Sequence, residues 1–279
     1  MFSRAFSSQS SSLLLKEIYH GNSVVRIILN DGKRRNALSL AMIDELTREL
    51  KGINSIKKIR SVIIAHEGPA FSSGHDLKEL RSSEGSESHQ KVFDRCSNLL
   101  QFIQRMDVPV IAEVRGLAAA AGCQLVASCD IAVAGEKASF MVPGQKVGLF
   151  CSTPGIPLSR AVPRKVAMDM LLTAQPIDAQ AALRAGLVSR VVSDEEVKFE
   201  ALRVAEQINN FSRSVTALGK AFFYAQNELP VSDAYRFGGK VMVGNLQLKD
   251  AQEGISAFVE KRHASFEYGE EKVECGKKE

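Results

Sequence analysis

No tryptophan occurs anywhere in this chain, no two cysteines form a C-x-x-C pair, and the first sixteen residues contain no acid. The five cysteines, at positions 96, 123, 129, 151 and 275, are odd in number and scattered. That argues against a disulfide framework or a zinc site and for a reducing compartment. The five histidines show no H-x-x-x-H or other ligand spacing, so no metal is expected. No apolar run reaches the roughly 20 residues needed to span a bilayer, so no membrane span is expected. A net charge of +4 over 279 residues is too mild for a nucleic-acid-binding surface. With 45% hydrophobic and 24% charged residues, the composition is that of a soluble globular protein.

Two acid-free stretches bear on the reading. Met1–Lys16 holds Arg4, Lys16 and six serines, and the first acid is Glu17. Such a segment reads as a mitochondrial presequence or its remnant, with a disordered tail as the plainer alternative. The second acid-free stretch runs from Lys137 to Met168 and bears on the chemistry below.

Strand-like and helix-like patterns alternate through the first two thirds of the chain. Val24–Leu29, Ser61–Ala65, Val108–Val114 and Asp130–Ala134 are short runs rich in β-branched residues, with Phe140–Val142 and Leu187–Val192 weaker. Between them Leu40, Ile43, Leu46, Leu50 and Ile53 recur at helical spacing, as do Val92, Cys96, Leu99, Ile103 and Met106. Asp178 N-caps a short helix that Gly186 ends. Strands separated by helices place the fold in the α/β class. The predicted organisation is a presequence-like 1–16, a core over 17–196, a helical region over 197–268 and a charged, disordered tail over 269–279. Ser82–Ser88, polar and rich in Gly and Ser, reads as a loop.

Two loops stand out. Gly68–Leu80 carries Phe71-Ser-Ser-Gly-His-Asp-Leu77 directly after a strand, and a helix entrance near Asp76 would expose backbone N–H groups. Ser73, His75 and Asp76 are too close in sequence to stack as a nucleophile–base–acid triad. Val114–Leu125 runs through Gly116 into the small-residue stretch Ala118–Gly122 and a helix beginning near Ala121. Small side chains there let a ligand approach the backbone, and the helix end carries partial positive charge.

Taken in this order, the motifs resemble those of the enoyl-CoA hydratase/isomerase (crotonase) superfamily, in particular its mitochondrial enoyl-CoA hydratase domain-containing members. The likeness runs from Arg35-Asn-Ala-Leu38 through both loops and Ser128-Cys-Asp-Ile131. It continues through Pro154-Gly155, Ala185-Gly-Leu-Val188 and Glu253-Gly-Ile-Ser-Ala-Phe258, covering about Leu15 to Phe266. The resemblance implies a spiral core of β-β-α units, a helical C-terminal trimerisation region, and homotrimers that can pair into hexamers. It implies no cofactor beyond the coenzyme A of an acyl-CoA thioester ligand. It also implies an oxyanion hole formed by the backbone N–H groups of His75 and Ala121, with Arg35, Ala37, Ser73, Gly74, Asp76, Leu77 and Cys151 lining the ligand site.

In hydratases of this superfamily two glutamates hold and activate water, and the corresponding positions here are Gln124 and Gly144. An amide neither accepts nor gives up a proton near neutral pH, and glycine supplies no side chain. Each lost acid–base group typically costs roughly 10²–10⁴ in rate. Three readings follow. The chain is an acyl-CoA binder with little or no hydratase activity, a decarboxylase or other lyase acting on a malonyl-type CoA, or a weak hydratase. The Ser-Gly-His-Asp sequence resembles the methylmalonyl-CoA decarboxylase branch. A mitochondrial matrix role in fatty-acid metabolism is expected.

Overall fold

The computed structural model describes residues 12–269 and 271–273. The presequence-like residues 1–11 and Cys275 lie outside the described residues. β1 (Leu14–Tyr19) takes in the last three residues of the presequence-like segment, and it pairs antiparallel with β2 (Val24–Leu29) at a sheet edge. β3 (Ser61–His66), β5 (Val110–Val114), β7 (Ile131–Gly135) and β10 (Arg190–Val192) continue that sheet in parallel, in the order β1-β2-β3-β5-β7-β10. β2, β3 and β5 are buried along their whole length. That explains why they read as largely apolar runs, broken in β2 and β5 only by Arg26 and Glu113, rather than as alternations.

The strand period still sorts their side chains. Val24, Ile63, Ile111 and Val133 meet Val197, Ala201, Val204 and Ala205 of α7 (Val197–Asn209) on one face. Val25, Ile27, Val62, Ile64, Val110 and Ala112 face the main core, which α1 (Leu40–Asn54) and α2 (Ser86–Arg105) close with their leucines and isoleucines. Arg26 and Glu113 sit on the α7 side as a buried bidentate pair at 2.7 Å.

A second sheet holds short strands in the order β4 (Ala70–Ser72), β6 (Leu117–Ala119), β8 (Ser139–Met141) and β9 (Ile177–Asp178). Long strand, short strand, helix then recurs along the chain: β3-β4-α2, β5-β6-α3 (Ala121–Ser128) and β7-β8-α4 (Ser152–Ala161). Both chemistry-bearing loops leave the ends of the short strands, so the second sheet brings them side by side.

After α5 (Arg164–Thr173) and α6 (Ala179–Ala185) the chain becomes helical, as its pattern predicted. α8 (Arg213–Gln226), α9 (Val231–Asn245) and α10 (Lys249–Glu260) follow α7. α8 is pinned to the core by Lys220, whose ammonium donates to Asp130 (2.6 Å) and to the Ile103 and Val108 carbonyls. Tyr224 adds a hydroxyl donation to Asp130 (2.8 Å). α9 and α10 leave Tyr235, Met242, Val243, Phe258 and Val259 exposed. Among the described residues no helix is long and apolar enough to cross a membrane.

Three details differ from the sequence expectations. α4 and α5 occupy a stretch with no anticipated element. The Ser82–Ser88 loop holds a 3-10 turn (Ser82–Glu84) and the start of α2. In the charged tail, Lys272 forms a β-bridge with Leu248, and the Glu271 and Val273 backbone bonds to Lys249 and Gln247. Unsatisfied backbone groups around the α10 N-terminus give those residues their partners.

Candidate functional site

The site begins with a brace. Asn36, fully buried with φ +50°, donates from Nδ2 to the Glu67 and Ala70 carbonyls and accepts from the Asp31 N–H, each at 2.8 Å. This ties the 35–38 turn to the start of β4. The turn then grips the next loop: the Ser73 N–H donates to the Arg35 carbonyl (3.0 Å) and the Leu38 N–H to the Gly74 carbonyl (2.8 Å). In a trans peptide the C=O and the following N–H point in opposite directions. Holding the Gly74 carbonyl on Leu38 therefore turns the His75 N–H away from Leu38.

The second donor comes from α3. Ala120, at φ +48°, accepts from the Gln124 N–H to open the helix and donates to the Met141 carbonyl (2.9 Å). Ala121 is the first helical residue, so its N–H has no partner within the helix. Gly74 lies against the turn that leads into α3. A Cβ built on it would lie 2.8 Å from the Ala120 Cβ and 3.1 Å from the Ala121 nitrogen, and its φ is +90°. Only glycine meets both demands. Gly122 is confined likewise, its Cβ position 2.4 Å from the Ser72 carbonyl oxygen.

Beside this pair lies a cavity of about 600 Å³ with a mainly apolar wall. Six of the site residues named from sequence line it: Ser73, His75, Leu77, Ala121, Gly144 and Cys151. Its lining holds one lysine, Lys146, and no Asp or Glu. Arg35, Ala37 and Gly74 belong to the supporting turns. Asp76 faces its own loop, accepting from the Lys78 N–H (3.0 Å) and lying 3.7 Å from the Arg34 guanidinium. Gln124 does not line this cavity. It borders a second one of about 820 Å³ between α2, α3, α4 and α8. There it is 4% exposed, and its Oε1 has no hydrogen-bond partner.

Gly144 shows how far the site departs from a carboxylate-bearing one. A Cβ there would fall 2.7 Å from the Leu149 carbonyl oxygen and 2.8 Å from the Cys151 sulfur. Its N–H donates to that sulfur (3.2 Å). The room a side chain would need is filled by the folded-back loop. Burial pushes the Cys151 thiol up, and the Gly144 N–H opposes this. Burial also holds the His75 imidazole below its usual range. The buried His75 ring and Cys151 thiol thus lie beside two backbone N–H groups in a mainly apolar wall, an arrangement able to stabilise negative charge on a carbonyl oxygen. Sequence reasoning missed the bracing role of Asn36, although its place in the Arg35–Leu38 motif was visible.

Residues 19–269 match the sequence profile of the family described as Enoyl-CoA hydratase/isomerase. A mitochondrial enoyl-CoA hydratase domain-containing protein 3 from Rattus norvegicus is 54% identical over 241 residues, 86% of this chain and 80% of the rat protein. A mitochondrial enoyl-CoA hydratase from Pongo abelii is 35% identical over 88% of this chain and 84% of its own length. The crystal structure of human enoyl Coenzyme A hydratase domain-containing protein 3 superposes with a TM-score of 0.89 at 49% identity, covering 91% of this chain and all of the human one. The fold is thus the crotonase spiral of β-β-α units, with C-terminal helices that fit a trimerisation region. Profile, sequence and architecture agree across nearly the whole described chain, and the protein belongs to the enoyl-CoA hydratase/isomerase family.

Proposed function

We propose that this protein binds an acyl-CoA thioester, polarises its carbonyl between the His75 and Ala121 N–H groups, and has little or no hydratase activity. One observation carries the reading: the cavity beside these donors is lined by no Asp or Glu. Hydration needs a group that removes a proton from water and one that delivers a proton to carbon. His75 and Cys151, both kept neutral by burial, are poor substitutes for a pair of carboxylates. The mitochondrial names of the relatives, together with the Ser-rich, acid-free start, place the protein in the mitochondrion. The matrix and fatty-acid metabolism follow as part of the proposal, as does a homotrimer built on the exposed apolar faces of α9 and α10.

The same cavity favours a second reading, decarboxylation of a malonyl-type CoA. Loss of carbon dioxide creates the enolate without a base, and an oxyanion hole suffices to stabilise it. Weak hydration through a water held by Gln124 ranks below both, because Gln124 borders the other cavity.

The deciding experiment incubates the purified full chain with crotonyl-CoA, methylmalonyl-CoA and ethylmalonyl-CoA and follows products by mass spectrometry. A parallel thermal scan reports binding. Acyl-CoA should raise Tm without turnover of crotonyl-CoA. Robust hydration of crotonyl-CoA would overturn the primary reading, and release of carbon dioxide would establish the second.

A further inference from the structure

The His75 ring has a role separate from that of its backbone N–H. Its Nδ1 lies 3.3 Å from the Leu38 carbonyl oxygen, and its edge packs on Phe93 with ring centroids 5.4 Å apart. A carbonyl oxygen only accepts, so Nδ1 carries the proton and Nε2 keeps the lone pair. Nε2 is buried with no hydrogen-bond partner among the described residues, which disfavours a second ring proton. Burial acts in the same direction, holding the ring neutral.

Leu38 is therefore gripped from both sides. Its N–H donates to the Gly74 carbonyl (2.8 Å) and its carbonyl accepts from the His75 ring. These two bonds bracket the Gly74–His75 peptide, whose N–H is the first oxyanion donor. Gly74, at φ +90°, leaves that peptide with no Cβ contact of its own to fix its plane. From this geometry we infer that the His75 imidazole is a positioning residue: its Nδ1–H bond to Leu38 locks the plane of the peptide whose N–H polarises the thioester. The inference rests on the proposed oxyanion hole and goes beyond it by assigning the ring a task.

Isotope-edited infrared spectroscopy of a bound acyl-CoA carrying a ¹³C thioester carbonyl tests it. In the wild type the carbonyl stretch should move to lower frequency than in water. His75→Phe keeps the aromatic contact with Phe93 but loses the Nδ1–H. The shift should largely vanish and affinity should fall roughly tenfold, the worth of about one hydrogen bond. His75→Asn, whose side-chain amide can donate to Leu38, should restore much of both. A purely structural role would lower Tm in both variants without separating them in the carbonyl spectrum. Nitrogen-15 NMR of the wild-type imidazole reads the tautomer without any substitution. A full carbonyl shift in His75→Phe, or a ring proton on Nε2, overturns the inference while leaving the hole standing. Absence of any shift in the wild type overturns the hole itself.

Discussion

Gly74 keeps its φ at +90° while filling a gap where a methyl group would press on Ala120 and Ala121. Replacing it by alanine should cost about 1–3 kcal/mol of stability from the strained conformation and weaken acyl-CoA binding at least tenfold. Chemical denaturation and calorimetric titration measure the two effects, and unchanged affinity in a folded variant would sink the assignment of the donors. Histidine burial gives a second prediction at this scale. His66 is 1% exposed, accepts from the Arg115 N–H (3.2 Å), and is lowered to about 4 by burial and by the nearby Arg115 guanidinium. Its unfolded value is near 6.5. Above that value both states are neutral and the contribution to stability is complete. Between about 6.5 and 4 the unfolded chain takes up a proton that the native one refuses. Stability should therefore fall across this window by about 3 kcal/mol. Urea unfolding at a series of pH values checks it, and a flat profile from pH 6.5 to 4 would contradict it.

The turn from Pro143 to Cys151 makes a prediction about the lost carboxylates. Restoring both acids by Gln124→Glu and Gly144→Glu should not restore hydration, because the Leu149 carbonyl and the Cys151 sulfur occupy the space at position 144. Adding Cys151→Gly removes one of the two obstacles. Spectrophotometric assay of crotonyl-CoA decides the matter, and a brisk reaction in the double variant would refute it. Sequence carried the long strands and amphipathic helices well, since Val24–Leu29 and Leu40–Ile53 declare themselves by local pattern. It hid α4 and α5, whose prolines at 154, 157 and 163 mimic loop punctuation. Pro154 falls in the first turn of α4, where a missing N–H costs nothing. The site was legible only through family likeness. The approach of Gly74 to Ala121, the left-handed Ala120 and the blocked Gly144 all arise from contacts between distant segments that no local rule encodes.

At the scale of the molecule, the C-terminal region leaves apolar area that a lone chain cannot hide: Phe258 is 85% exposed and Val259 73%. Sedimentation of the wild type should give a trimer or hexamer, and Phe258→Glu with Val259→Glu should shift it toward monomer. A monomeric wild type would remove the proposed assembly. α3 connects this region to the site. Its N-terminal residue is the donor Ala121, while Asp130, just past its other end, is held by Lys220 and Tyr224 of α8. Eight residues make a rod about 12 Å long, too short to bend appreciably. Its far end is held between α8 and the main sheet, because Asp130 also accepts from the Val110 N–H of β5 (2.7 Å). One carboxylate thus fastens the helix that presents Ala121 both to the sheet and to the C-terminal helical region.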